Sequence, residues 1–334
     1  MPPLMIILAV LAVAFAFLNG VHDSCNLVAT MISSRAIRPH AALIIAAIAE
    51  FSGPFIFGVA VANTISQDIV SSAHLNLLMI VAAVLGAIVW NIVTWLMGIP
   101  SSSSHALIGG LIGAVAIGAG FHEIQIAGVI KVVIFLFASP IIGFFTGMIV
   151  ANIVFMASWK STPRINDVFK RLQVVTSLGL AMGSGANDSQ KTMGLITLGL
   201  VISGVQKTFA VPFWVVFICA TAIGLGVALG GYRLIRTLGS KFYKIRPIHG
   251  FAAQASSAIV ILTASLMGGP VSATQIVSTS IMGVGAAERV SQVRWGVVGD
   301  ILSAWLFTIP TTALLAAGIY WLLSTGIPAI SKLF

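Results

Sequence analysis

The chain has 334 residues, 58% of them hydrophobic and 7% charged, with a mean hydropathy of +1.08. Soluble domains carry about 25% charged residues, so this composition excludes an ordinary soluble enzyme or nucleic-acid-binding domain and points into a bilayer. The net charge of +9 fits that setting, because most Lys and Arg residues fall between apolar runs: Arg35 and Arg38, Lys160 to Arg171, Arg233 to Arg246, and Arg289 with Arg294. Such spacing follows the positive-inside rule and would place the first three of these four loops in the cytoplasm.

Apolar segments of roughly 18–20 residues cross a bilayer as helices, whereas a transmembrane barrel needs short alternating ones. The expected fold is therefore all-α and polytopic. Residues 4–18 are as hydrophobic as a signal peptide. They lack a basic start and run into polar residues instead of a cleavage site, so they read as the first membrane helix. Runs 4–18 and 24–33 flank a polar break from Asn19 to Asn26. Runs 40–65, 75–97, 101–120 and 126–157 follow. A basic segment, 158–171, contains Pro163, Asn166 and Asp167 and divides residues 1–157 from 172–334 as a linker between halves. The second half runs 172–186, 189–205, 209–231, 249–267, 271–286 and 295–325. The pair 75–97 and 101–120, joined at Gly-x-Pro, has the form of a re-entrant hairpin as well as of two spans. The two cysteines, Cys25 and Cys219, form neither a metal-ligand cluster nor a disulfide framework.

The halves repeat one another. Leu96-Met97-Gly98-Ile99-Pro100-Ser101-Ser102-Ser103-Ser104-His105 matches Leu266-Met267-Gly268-Gly269-Pro270-Val271-Ser272-Ala273-Thr274-Gln275, an offset of 170. Gly20-Val21-His22-Asp23-Ser24 matches Gly185-Ala186-Asn187-Asp188-Ser189, an offset of 165. Ser139-Pro140 stands against Ile309-Pro310. Landmarks in one order argue for an ancestral unit used twice, and duplicated polar breaks in apolar helices mark the binding site of a secondary transporter.

Asp23 and Asp188 are two of eight acidic residues, both in apolar context. A charge at the bilayer centre costs at least ~2.5–3.5 kcal/mol on insertion scales, so these carboxylates are functional candidates; the plainer alternative is a helix cap. Gly20 and Gly185 are expected to permit unwound backbone beside them. Asn19, His22, Ser24, Asn26, Asn187, Ser189 and Gln190 add polar ligands suited to hard cations or protons. Pro100 and Pro270 suit the first turn of a new helix, whose free N–H groups and positive dipole end form an anion site. The hydroxyls of Ser101, Ser102, Ser103, Ser104, Ser272 and Thr274 add donors. Small hydroxyl residues also occur at ordinary membrane-helix contacts. Lys191 is either a snorkelling residue or a fixed positive charge beside Asp188. His105 is either a hairpin hydrogen-bonder or a substrate ligand. Glu50 would need a polar partner, and Asp68, His74 and Glu123 read as loop residues.

At these residues the chain resembles the inorganic phosphate transporter (Pit) family. Gly185-Ala186-Asn187-Asp188 matches the family's duplicated motif, Pro100 to His105 matches its hairpin signature, and Arg294-Trp295 with Trp305 to Pro310 looks like its C-terminal helix. The resemblance implies two inverted-topology repeats, broken helices and re-entrant hairpins, and symport of an oxyanion with sodium ions or protons. It implies that Asn19, Asp23, Ser24, Asn26, Asp188 and Ser189 serve the coupling cation, with Asp23 and Asp188 as metal ligands only if that ion is Na+. Ser101 to His105, Val271 to Gln275, Asn187 and Lys191 would serve the phosphate. No cofactor, enzymatic activity or nucleic-acid partner is implied. The setting is a prokaryotic plasma or inner membrane, and a homodimer stays open. His22, Ala273, Gln275 and Lys191 depart from the usual pattern; His22 and Lys191 look like the bacterial branch often regarded as proton-coupled, and some bacterial relatives carry sulfate.

Electrostatics leads to symport independently. Two carboxylates near a bound dianion repel it in a low-dielectric site, so protons or cations must neutralise them as it binds. On that ground Lys191 would replace the charge of one sodium ion. A passive anion channel would give no uphill accumulation. A membrane hydrolase built from Ser104, His105 and Asp23 would leave the second copy of each motif unexplained.

Overall fold

The computed structural model describes residues 2–69, 75–97, 101–230, 245–293 and 295–325. The α-helices are α1 (Pro3–Ser33), α2 (Pro39–Phe57), α3 (Ala60–Asn63, passing into a π turn over Thr64–Asp68), α4 (Leu77–Met97), α5 (Ser103–Gly118), α6 (Ile126–Ser158), α7 (Ile165–Ile202), α8 (Phe213–Leu229), α9 (Pro247–Leu266), α10 (Ala273–Glu288) and α11 (Trp295–Thr325). Six of them carry stretches long and apolar enough to cross a membrane. Pro3, Pro39 and Pro247 each sit in a first helical turn, where a missing N–H costs nothing.

Contacts fix the directions of the helices. Ser34, just past α1, bonds Gln173 near the start of α7. Met5 and Leu8, at the other end of α1, pack against Gly199 near the end of α7. The two helices are therefore antiparallel. Arg246, before α9, pairs with Glu288 at the end of α10, so α9 and α10 form a hairpin that returns to its own side. Gly118, ending α5, meets Met79 at the start of α4, so α4 and α5 form a second hairpin entering from the opposite side.

Packing is exchanged between the halves. Helix α2 packs on α7 while α8 packs on α1; α5 packs on α11 while α10 packs on α6. Glycines permit the closest approaches. A methyl group at Gly20 would strike the Ile223 carbonyl, and one at Gly185 would strike the Glu50 carbonyl.

Several expectations change. The chain is not broken over Asn19 to Asn26 or at Gly185: α1 and α7 run unbroken through both motifs. Gly20 and Gly185 serve close helix contact, the small-residue packing by which membrane helices approach. The runs 172–186 and 189–205 join into one helix, and 165–171 of the proposed linker are its first turns, leaving 159–164 between helices. All four basic loops with described members lie at one end, because Glu288 beside Arg289 pairs with Arg246. The fourth joins the other three because α10 belongs to a returning hairpin. Pro100, His74, Arg294 and Arg233 to Lys244 lie outside the described residues.

Candidate functional site

The two hairpin tips meet at α1 and α7 deep inside the molecule. Asp23 and Asp188 are each 3% exposed. Their surroundings differ. Asp23 Oδ1 accepts from Thr274 Oγ1 at 2.9 Å and from Asn26 Nδ2 at 3.2 Å, and Asn26 also donates to Thr274 at 3.0 Å. This first centre joins α1 to the start of α10 with neutral donors. At the second centre, Lys191 is buried and ion-paired with Asp188, one helical turn away. The Lys191 ammonium also donates to Ser104 Oγ and, at 2.8 Å, to the Val271 carbonyl, so all three of its protons are used. Lys191 thus lies beside Asp188 in the interior of α7 and does not snorkel to a helix end.

The duplicated offset makes Lys191 the counterpart of Asn26 and Asn187 that of His22. Asn187 ties α7 to the second tip. Its Nδ2 donates to Ser265 Oγ and to the Gly269 carbonyl, each at 3.0 Å, and its Oδ1 accepts from Val271 N at 3.1 Å. Ser104 donates to the Val271 carbonyl at 2.8 Å, fastening one tip to the other.

Glu50 is fully buried in α2, and its partner is Ser184. The Ser184 hydroxyl lies 3.3 Å from Glu50 Oε1 and 3.1 Å from Asp188 Oδ2, and its single proton serves one carboxylate at a time. Three carboxylates thus stand against one ammonium, leaving a negative excess when all are ionised. Ser184 is the counterpart of Asn19 at the same offset, a signal available in the sequence; Ser265 and Thr94 carried none. The Asn19 Oδ1, Ser189 Oγ, Gln275 Oε1 and His105 Nε2 atoms are buried without a partner.

The helix starts are unlike. Ser102 caps α5, accepting from His105 N at 3.3 Å, and its hydroxyl also meets His105 Nδ1 at 2.8 Å. Gln275 Nε2 lies 3.5 Å from the same ring nitrogen. Ser272 at the start of α10 makes no such side-chain cap, so the first amides of α10 keep their positive dipole end open. Pro270 precedes Ala273 by three residues and lies in the loop, not in the first turn. Ser101 is turned toward Thr94 at 2.6 Å. Ser24 is not brought to the site: its hydroxyl donates to the Val21 carbonyl of its own helix at 2.7 Å. Ser103 is half-buried and Ala273 is buried at the second tip. Asp68 pairs with Lys131 and Glu123 with His122, away from this cluster.

Unbroken site helices, two opposed hairpins and buried charge between their tips define a multi-pass membrane protein of the transporter class. The sequence matches the phosphate transporter family over residues 19–316, and the chain belongs to that family. It is 44% identical over 321 residues to a Rhizobium meliloti (strain 1021) protein described as "Probable low-affinity inorganic phosphate transporter", with 96% of each chain covered. A Bacillus subtilis (strain 168) protein of the same description is 42% identical over 325 residues, covering 96% of this chain and 97% of its own. A solved structure titled "The sodium-dependent phosphate transporter" shares the fold, with a TM-score of 0.91 and 24% identity, over 97% of this chain and 100% of that one.

Proposed function

We propose that the chain is a proton-coupled phosphate symporter working by alternating access, built from two inverted repeats spanning 1–157 and 172–334. Antiparallel α1 and α7, opposed hairpins and exchanged packing support the repeat. The observation that carries the coupling is the Lys191–Asp188 pair. The second centre holds its own cation, tethered to the chain, where the first presents Asn26. Only Asp23 and Glu50 are then left to take up mobile positive charge. Asn26 and Thr274 both donate to Asp23 Oδ1, so a proton arriving at this carboxylate would go to its other oxygen, Oδ2. Positive-inside charge places the basic end in the cytoplasm.

Phosphate sits between the tips, against the open first turn of α10, with Ser104, Asn187 and Lys191 along its edge. Lys191 would turn its N–H donors from the Val271 carbonyl and Ser104 Oγ to phosphate oxygens, a charge-assisted replacement. Protons on the carboxylates remove the repulsion that an incoming dianion meets, so each ligand raises the affinity of the other. A protonated phosphate also donates, and Gln275 Oε1 is an acceptor it can use; sulfate has no such proton.

Uptake of labelled phosphate into proteoliposomes, with proton and sodium gradients imposed separately, tests this. Accumulation is expected with an inward proton gradient and no sodium, and excess sulfate is expected to compete weakly. Uptake that requires external sodium at fixed pH and membrane potential rules the proton assignment out.

A further inference from the structure

Both ends of the molecule are packed shut over the site, by different chemistry. At the basic end, Ser34 donates to Gln173 Oε1 at 2.8 Å, and Gln173 Nε2 donates to the Pro247 carbonyl at 2.7 Å. Deeper in, Thr176 donates to Gln254 Oε1 at 2.8 Å, and Gln254 Nε2 donates to Thr30 at 2.8 Å. Each of these chains stitches α1, α7 and α9 together, and Thr30, Ser34, Gln173 and Gln254 are buried.

At the opposite end the duplicated unit places apolar residues in the same positions. The offset of 165 pairs Gln173 with Leu8, Thr30 with Leu195 and Ser34 with Gly199; the hairpin offset of 170 pairs Gln254 with Val84 and Pro247 with Leu77. The contacts obey the correspondence: Gly199 packs against Leu8 and Leu77, just where Ser34 reaches Gln173 and, through it, Pro247. Leu8, Leu77, Val84 and Leu195 share one apolar core.

A hydrogen bond broken in the presence of water is largely replaced by one to water. An opened leucine contact gains nothing of the kind and exposes apolar surface, and hydrophobic constrictions of this sort gate by dewetting. We propose that the two ends are unlike gates: a hydrogen-bonded latch at the basic end that opens often, and a leucine seal at the other end that opens rarely and sets the transport rate. The clause about rate rests on the alternating-access reading above; the difference between the ends does not.

Amide hydrogen exchange of the purified full chain in nanodiscs reads each end directly. Amides of 27–34 and 250–258 are expected to exchange at least about tenfold faster than their counterparts 192–199 and 80–88, as locally opening segments do. Equal or reversed protection overturns the proposal. Leu8→Gln gives the seal its counterpart's residue and is expected to speed exchange at 192–199 about fivefold or more and to raise phosphate counterflow several-fold. Leu195→Thr is a gentler version if Leu8→Gln does not fold. Leucine-end exchange that stays at the wild-type rate in a folded variant refutes the seal, and unchanged counterflow in a variant with faster exchange refutes its control of rate. A wild-type protein that exchanges no phosphate refutes the transport reading instead, while its amide exchange still reports on the gates.

Discussion

Asp23 and Asp188 occupy matching places on matching helices, yet the residue one turn further on is Asn26 in one and Lys191 in the other. Asp23 is satisfied by an amide and a hydroxyl; Asp188 is satisfied by a charge. Backbone and acid match across the two helices, and the chemistry differs at the neighbours, most sharply where Asn26 stands against Lys191. The Lys191 ammonium has three partners in place, whereas the first carboxylate meets only neutral donors.

The largest expected effect comes from unpairing the resident charge. Asp188→Asn leaves Lys191 buried without its counter-ion, a loss of about 3–5 kcal/mol for a broken buried pair. Uptake should vanish and thermal unfolding in detergent should shift strongly downward, while Asp23→Asn abolishes coupled uptake with a much smaller shift. Equal shifts for both variants would show that the two centres are alike after all. Next, Lys191→Asn makes the second centre resemble the first. Phosphate uptake should then rise with external sodium by roughly tenfold at fixed pH and potential, about 1.4 kcal/mol of ion binding. Sodium-indifferent uptake by a folded Lys191→Asn protein would remove Lys191 from the coupling.

Smaller effects sharpen the first centre. Thr274→Val deletes a donor to Asp23 and should weaken phosphate uptake about fivefold, near the ~1 kcal/mol of one hydrogen bond, measured as KM in vesicles. The smallest is Ser24→Ala, with uptake expected to stay within roughly twofold of wild type, because the one bond it loses is to the Val21 carbonyl of its own helix. The Ser24 hydroxyl faces its own helix, and a larger loss would return it to the ion site.

Much of this was legible in the sequence. Hydropathy marked the apolar helices, and two repeated motifs marked the acids and the hairpin tips, while Lys191 stayed open between a snorkelling residue and a partner of Asp188 until folding brought the two together. Gly20 and Gly185 were misleading: glycine permits an unwound backbone and also a close helix crossing, and only the facing carbonyls of Ile223 and Glu50 decide between them. The partners of Glu50, Asn187 and Ser104 were illegible because they come from elements far along the chain. The polar latch was hidden for a related reason, since Gln173 and Gln254 sit in apolar helices as isolated amides whose partners only folding supplies.

The exchanged packing bears on how the protein is made. With α2 resting on α7 and α5 on α11, the first half emerges from the ribosome with its glycine-lined faces bare and must wait in the bilayer for partners not yet synthesised. Its apolar core on α1, α4 and α5 stays incomplete until the second half supplies residues such as Ile196, Val215 and Ala316. A chain cut within 159–164 should therefore regain its fold only when both fragments are made together, and neither piece alone should resist proteolysis.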